Sequence, residues 1–490
     1  GEVAQDRDVR VRLHRVAQLR VQPGQAALLR TVSFRNSGLA PANVSARALL
    51  YPNLMLFDEY FVDRQHPELT ATGFCTLRLR SPEATGAGDR HLQFDLGPIA
   101  PGGSRACTLI LSLGESAAPL DATTAGQWQA AAANYWGRVA RVDPGEPALA
   151  HLFQVSVAGL RAAVAASGKM DGAIWQYNLE WVRDQSMVAA AAAMAGLTDP
   201  AAGDPAPRLL ERILERSIDA HGGTVDSSRL RPAELAELDQ NGELLHALWI
   251  HWVWTGDAGL IRKNLPKLVR IAEYLQRPEF VDPDSGLLHN SREYWERDPH
   301  FGVRDGFENS YQLWTIVGFN ALADMLEEVG GDAPAARRWR EAAGKLQTAF
   351  LSHPRHALIE RGTLVKRRLP DGAVQRRLEP PNRAGLPPGM PLSTERENFC
   401  DPDTASVLPI IHGVVDPQGP VARATLDAME ALWNQRWSGG GYGRYDVTSE
   451  SDSPGPWPFP SLFVARANLV AGNHDRVWRT LRWLAEVPGG

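Results

Sequence analysis

DGAIWQYNLEWVRDQSMVAAAAAMAG, residues 171–196, is where the chain changes character. Trp175, Tyr177, Glu180, Trp181, Arg183 and Asp184 stand immediately before a run of Met, Val and Ala that reads as a buried helix. A helix start exposes unpaired N–H groups and a partial positive charge, so Asp184 is favoured there while the aromatics ahead of it wall a pocket. Aromatic faces beside fixed carboxylates suit a sugar ring, with its apolar C–H faces and rim of hydroxyls.

Upstream of this stretch the pattern is one of strands. VRVRLHRVAQLRV, ALLRTVSFRN, VSARALLY, CTLRLR, LQFDL and CTLILSL alternate at period two and are broken by PGQ, NSG, TGAG and PGG, which predicts an antiparallel β-sandwich over residues 1–124. No cluster of catalytic residue types occurs there, so this reads as a packing or accessory domain. AGQWQAAAANYWGRVAR and HLFQVSVAGLRAAVAAS predict linker helices over 125–167.

Downstream, over 168–490, helices come in pairs. Ten helical runs in five pairs share short turns such as MAGLTDP, WTGDAG, EVGGDAP and VAGNHDR. Repeated αα-hairpins stack into a solenoid or close into an α/α toroid. A toroid of six pairs would lack its last pair here. An insert at about 352–398 carries the hairpin TLVKRRL-PDG-AVQRRL. Its Lys366, Arg367, Arg368, Arg376 and Arg377 read as a solvated face, with an anionic ligand as the alternative.

The composition is that of a globular protein: 490 residues, 44% hydrophobic, 22% charged, net charge -6. Neither the charge nor any basic run points to nucleic acid, and no apolar stretch reaches the roughly 18 residues of a membrane span. Cys75, Cys107 and Cys400 make no metal spacing and cannot all pair, which leans toward a reducing, cytoplasmic setting. A bridge between Cys75 and Cys107, and secretion after removal of a signal peptide, stay open. The polar loops before alternate helices (WQYNLEWVRD, LAELDQNGE, SREYWERDPHFGVRDGFENS, NFCDPDT, SGGGYGRYDVTSESDSPGPWPFP) converge on one mouth if inner helices all start at the same end. They are rich in Trp, Tyr, Asp, Glu and Arg and poor in His and Cys, which argues against a metal site.

Carboxylates are then the candidate acid and base, as glycosidic cleavage requires. Glu296 is the first candidate acid because the indole of Trp295 removes water and favours the protonated form; a surface Glu paired to Arg297 or Arg292 is the bland alternative. Glu308 is the second candidate, or simply a helix cap. Arg183 and Asp184 are either hydroxyl ligands or an internal ion pair, and Arg444 and Trp457 a hydroxyl clamp and stacking platform or ordinary loop residues. His246, His251 and His412 lie within helical runs and read as structural.

These elements, in this order, resemble the inverting glycoside hydrolases of family fifteen, the glucoamylases, glucodextranases and trehalase-type enzymes. Tyr177 and Trp181-Val-Arg183-Asp184 look like the family's Y…W-x-R-D element, and Asp239-Gln-Asn-Gly242-Glu243 is similar to its D-x-x-G-E helix start. Trp295-Glu296 matches its acid-bearing Trp-Glu, and Asp401-Pro-Asp-Thr404 with IIHGVVDP its D-x-N-T…IHxxDP segment. Gly443-Arg444-Tyr445 with Pro456-Trp457 matches its GRY…NPW element. The resemblance implies an (α/α)6 toroid behind a β-sandwich and exo-acting hydrolysis of α-glucosidic bonds with inversion. It makes Glu296 the acid and Trp175, Tyr177, Trp181, Arg183, Asp184, Asp239, Trp295, Arg297, Asp401, Arg444, Tyr445 and Trp457 the substrate pocket. No cofactor is implied, a structural calcium in the β-domain being optional.

Two departures are visible. Arg297 stands where fungal members carry a second sugar-contacting Glu. The family's general base, a Glu after the fifth helix pair, has no counterpart before Gly490, so efficient inversion is expected only with a C-terminal fragment completing the toroid. A disaccharide phosphorylase using the basic hairpin for phosphate, and a carbohydrate-binding protein with a degenerate site, are the rival readings.

Overall fold

The computed structural model describes residues 9–22, 25–50, 57–65, 67–73, 76–113, 122–139, 141–165, 167–172, 179–226, 231–379, 398–434, 439–445 and 455–487. Trp175, Tyr177 and Cys75 lie outside the described residues. The chain divides into two compact units, 1–139 and 140–490, the division falling between the two helices read from sequence as a linker.

In the first unit two antiparallel sheets enclose one core. The larger has strand order β1 (Val9–Gln22), β2 (Gln25–Asn36), β9 (Ser104–Leu113), β6 (Leu77–Arg80), β5 (Glu68–Gly73) and β4 (Phe57–Asp63). The smaller is β3 (Ala42–Leu49), β8 (His91–Ile99) and β7 (Gly86–Gly88). Period-two alternation is visible in the burial along β8, where Leu92 and Phe94 point inward and Gln93 and Asp95 outward. Phe34, Leu69, Leu79, Leu92, Phe94, Ile99 and Cys107 meet between the sheets, so the expected sandwich forms. β4 and β5 were not legible by alternation: FDEYFVD and ELTATG carry acids and a glycine that disfavour strands, and pairing to β6 overrides that preference. The Cys107 thiol is pushed up to about 11, by burial first and Glu83 second. Helix α1 (Ala122–Arg138) ends this unit.

The second unit is helical. α2 (Pro147–Ala163) is followed by α3 (Val182–Met194), α4 (Pro205–Arg216), α5 (Leu238–Thr255), α6 (Gly259–Tyr274), α7 (Asn309–Glu328) and α8 (Ala333–Ser352). Then come a 3-10 turn at Thr404–Val407 leading into α9 (Leu408–Ile411), α10 (Pro420–Met429), α11 (Pro458–Val470) and α12 (His474–Glu486). α3 packs on α5, α5 on α7, α7 on α9 and α9 on α11, while α4, α6, α8, α10 and α12 each pack against members of that series. The five pairs read from sequence are thus present. α2, read only as a lead-in, touches both α3 and α12 and so belongs to the helical assembly.

Why α5 and α7 lie so close is visible at one contact. A Cβ on Gly242 would stand 2.0 Å from the Trp314 carbonyl oxygen, and one on Gly318 would stand 2.6 Å from the Gly242 Cα. Only glycine permits this backbone approach. Gly242→Ala is therefore expected to force the helices apart at a cost of about 1–3 kcal/mol, read as a lowered denaturation midpoint at unchanged m-value.

Candidate functional site

Five helical starts meet at one place. Trp181 precedes α3, Glu237 precedes α5, Glu308 precedes α7, Asp403 caps the Thr404–Val407 turn and Trp457 precedes α11. The loops expected to converge do so, and charged side chains tie them together.

Arg183, in the first turn of α3, is the centre of the first group. Its Nε donates to Asp239 Oδ2 at 2.6 Å, its Nη2 to Glu237 Oε2 at 2.5 Å and Asp239 Oδ1 at 3.2 Å, and its Nη1 to Glu296 Oε1 at 3.1 Å. The guanidinium also lies over the Tyr294 ring at 4.7 Å. The internal Arg183–Asp184 ion pair is thereby corrected: the partners of Arg183 come from α5 and from the loop after α6. A guanidinium offers five donors in a planar fork, so one arginine can serve three acids. Behind it, Tyr294 Oη donates to Glu243 Oε1 at 3.4 Å, and burial followed by the Asp239 charge raises Glu243 well above the usual carboxylate range. Half-buried Asp184 is also raised, by burial.

Glu296 and Asp184 differ from the other acids of the site in being partly exposed. The Glu296 side chain is 21% exposed, against 1% for Glu308. Burial first, and then the Glu237 charge, push it up to about 8; Arg183 pulls the other way. The neighbouring Trp295 is fixed by its own bond, Nε1 donating to Asp403 Oδ2 at 2.9 Å. Glu296 is not a surface partner of Arg297 or Arg292. Arg292 donates to Glu237, and the Arg297 guanidinium lies 5.0 Å from the Tyr445 ring centre. Glu296 holds a left-handed backbone, φ 70°, in a turn closed by its N–H to the Glu293 carbonyl at 2.9 Å. That conformation costs a side-chain-bearing residue about 1–2 kcal/mol, so the surrounding bonds hold it.

The second group is built on Lys366. Its Nζ donates to Asp403 Oδ2 at 2.7 Å and pairs with Glu293. Burial alone would discharge this ammonium, but Asp403 and Glu293 hold it charged. Asp401 accepts from the Lys366 N–H at 3.0 Å and pairs with Arg376. Lys366 lies 4.8 Å from the Tyr445 ring centre, and Arg444 lies 4.3 Å from that of Trp457 and 5.7 Å from that of Trp295. Arg183, Asp239, Glu296, Trp295, Arg297, Asp401, Arg444, Tyr445 and Trp457 thus form one connected set; Trp181 joins it through Arg231, 5.3 Å from its ring centre.

The insert is the main correction. Lys366, Arg367 and Arg368 are 3%, 2% and 6% exposed, not a solvated face, whereas Arg376 and Arg377 are exposed as expected. Strand pairing of Arg367–Arg368 with Phe307–Glu308 carries the first three inward. Arg367 donates to Glu308 Oε2 at 2.9 Å and to the carbonyls of Arg304 and Arg292, and Arg368 donates to the carbonyls of Ala357, Ile359 and Gly372. Committed in this way, they supply no phosphate site, which removes the support for the phosphorylase reading. Glu308, pushed up to about 7 by burial, is held by Arg367. Sequence reading gave no role to Glu237 or Glu293. Glu237 stood in a loop already marked as polar, one residue before a helix start, and that position was the available signal.

His246 and His412 pack edge to face at 5.3 Å beside Trp314, with burial lowering them to about 4 and about 3, so both are neutral structural rings. Elsewhere Asp284, His353 and His356 bring three ligand-type atoms within 4.8 Å of one another. The two imidazoles are stacked at 14° and His353 Nδ1 accepts backbone N–H groups, so ring stacking explains the pair without an ion. Among the described residues no helix is long and apolar enough to cross a membrane.

Taken together, the site is a cluster of acids and guanidiniums set among indole and phenol rings, chemistry suited to a neutral polyhydroxyl ligand. No protein-family model and no curated protein matches the chain. Among solved structures it is similar to a glycosidase variant in complex with glucose, at 18% identity and TM-score 0.49, over 71% of this chain and 86% of that one. A rhamnosidase from Klebsiella oxytoca with rhamnose bound matches at 13% identity and TM-score 0.49, over 96% and 80%. A Bacillus rhamnosidase of family GH78 matches at 14% and 0.47, over 95% of this chain and 42% of that one. At such values these likenesses carry no argument about activity, which rests on the site alone.

Proposed function

We propose that the chain is a glycoside hydrolase of helical-toroid build that cleaves an α-glucosidic bond from the chain end, with Glu296 as general acid. One observation carries this: a partly exposed carboxyl, raised to about 8 and bonded to Arg183, among arginine and indole side chains contributed by separate helix starts. The succession α3, α5, α7, α9, α11, with α2 touching both α3 and α12, supports the toroid. In the reaction the Glu296 proton passes to the glycosidic oxygen as the bond to the anomeric carbon breaks, and water adds to that carbon with loss of a proton. Arg183, Arg444 and Trp457 orient the sugar. Inversion is part of the proposal, and the anomer first released, read by proton NMR, decides it.

The test is turnover of a panel of α-linked glucosides by the chain and by Glu296→Gln. Loss of turnover in the variant supports the reading. Sugar binding without turnover in both, also when a C-terminal fragment completing the toroid is supplied, would identify a carbohydrate-binding protein instead. The acid must hold its proton, so kcat/KM is expected to be flat below about pH 7 on this side of the profile and to fall as pH rises through about 8, the value to which burial and Glu237 raise the group. A limb near pH 4.5 would assign the proton donor elsewhere.

A further inference from the structure

The Glu237 carboxylate is the most heavily shared acid in the site. Its Oε2 accepts from Arg183 Nη2 at 2.5 Å, and its Oε1 accepts from Arg231 Nη1 at 2.9 Å and from Arg292 Nε. Asp239 engages Arg183 through two further bonds, so the guanidinium is fixed on one flank by two buried carboxylates and presents only Nη1 to Glu296. The backbone beside Glu237 is tied to the segment that leads to Glu296: Asn290 Nδ2 donates to the Ala236 carbonyl at 2.6 Å and the Ser291 N–H to that of Glu234 at 3.0 Å.

Resting on the reading of Glu296 as the acid, we propose that Glu237 is its positioning residue, holding Arg183 at a fixed place and offsetting its charge so that Glu296 stays protonated beside a cation. An arginine free to turn fully toward Glu296 would stabilise the carboxylate and leave no proton to give. Two carboxylates on the far flank prevent this. The negative charge of Glu237 also opposes ionisation of Glu296 directly, as the second-largest cause of its raised pKa. Arg231 and Arg292 both pair with Glu237, and Arg231 also reaches Asp226 at 3.6 Å. The charges that act most on Glu296 are those of Glu237, Arg183, Asp184 and Arg292, and Asp239 shares Arg183 with it. Glu237→Gln removes the largest of the negative ones.

Glu237→Gln keeps the shape and one acceptor while removing the charge. The expected result is an alkaline limb of kcat/KM moved to lower pH by about one unit or more on maltose-type oligosaccharides, with kcat at pH 7.5 down about threefold or more and KM changed less than threefold. Glu237→Asp, which restores the charge, should return the limb most of the way. A second readout needs no turnover: the infrared band of a protonated carboxyl at pH 7, assigned to Glu296 by its loss in Glu296→Gln, should fall to about half or less in Glu237→Gln and keep most of its intensity in Glu237→Asp. An unmoved limb or a band of undiminished intensity in Glu237→Gln, in a variant with wild-type circular dichroism, overturns the positioning role. The reading of Glu296 fails separately, if Glu296→Gln retains full turnover.

Discussion

Glu296→Gln is expected to lower kcat by about 10²–10⁴-fold on glucosides with alkoxide leaving groups, with binding of the sugar nearly unchanged. The amide preserves volume and can still accept the Arg183 Nη1 bond that Glu296 Oε1 receives at 3.1 Å, so the pocket keeps its form. What it lacks is a proton of suitable affinity. The deficit should shrink on substrates whose leaving group departs without protonation, such as a nitrophenyl or fluoride glucoside, because the step Glu296 assists is then no longer limiting. Equal losses on both substrate types would place Glu296 among the binding residues and pass the acid role to Glu308. That second carboxyl is poorly placed for it: it is 1% exposed and fixed by Arg367.

Arg183→Met is expected to destabilise the second unit by about 3–5 kcal/mol, the cost of breaking a buried ion network from one side. Asp239, 0% exposed, would lose its arginine, and Glu237, 1% exposed, would lose one of its three. Against a typical net stability of about 5–15 kcal/mol this is a large share, visible as a lower Tm. The pH dependence has a definite sign. Without Arg183 the folded-state pKa of Asp239, already raised by burial, rises further above its unfolded value. Stability is then lost as pH climbs through that folded pKa, and the gap to wild type narrows as pH falls toward the unfolded value. Arg183→Lys should recover little of the loss, since one ammonium cannot bridge three carboxylates set by a planar fork. A Tm within one degree of wild type in Arg183→Met would show that the network is not what holds these helix starts together.

Periodicity made the architecture legible. Strand alternation along LQFDL and CTLILSL and the paired helical runs after Gly168 are local patterns, written within a few residues. The meeting of Arg183, Trp295, Glu296, Arg444 and Trp457 was legible too, because polar loops all precede alternate helices. The pairing inside the site was not. Lys366 meets Asp403 37 residues away and Arg367 meets Glu308 across 59, and a basic run looks solvated until its acids are located. Glu237 was missed for the same reason: its three arginines lie at separations of 6, 54 and 55 residues. The partner of the Trp295 N–H was not legible either, because sequence adjacency says nothing about which neighbour an N–H will choose.

The strand pairing of Arg367–Arg368 with Phe307–Glu308 has a practical corollary for protein engineering. Surface excursions between helices are the usual places to shorten, swap or decorate an enzyme, and this one invites such treatment by its length and its wealth of prolines. Its root, however, supplies the only described ammonium on Asp403, which in turn orients the Trp295 ring beside the acid. A cut that reaches Lys366 would therefore leave Asp403 without that ammonium and loosen the partner of the Trp295 N–H.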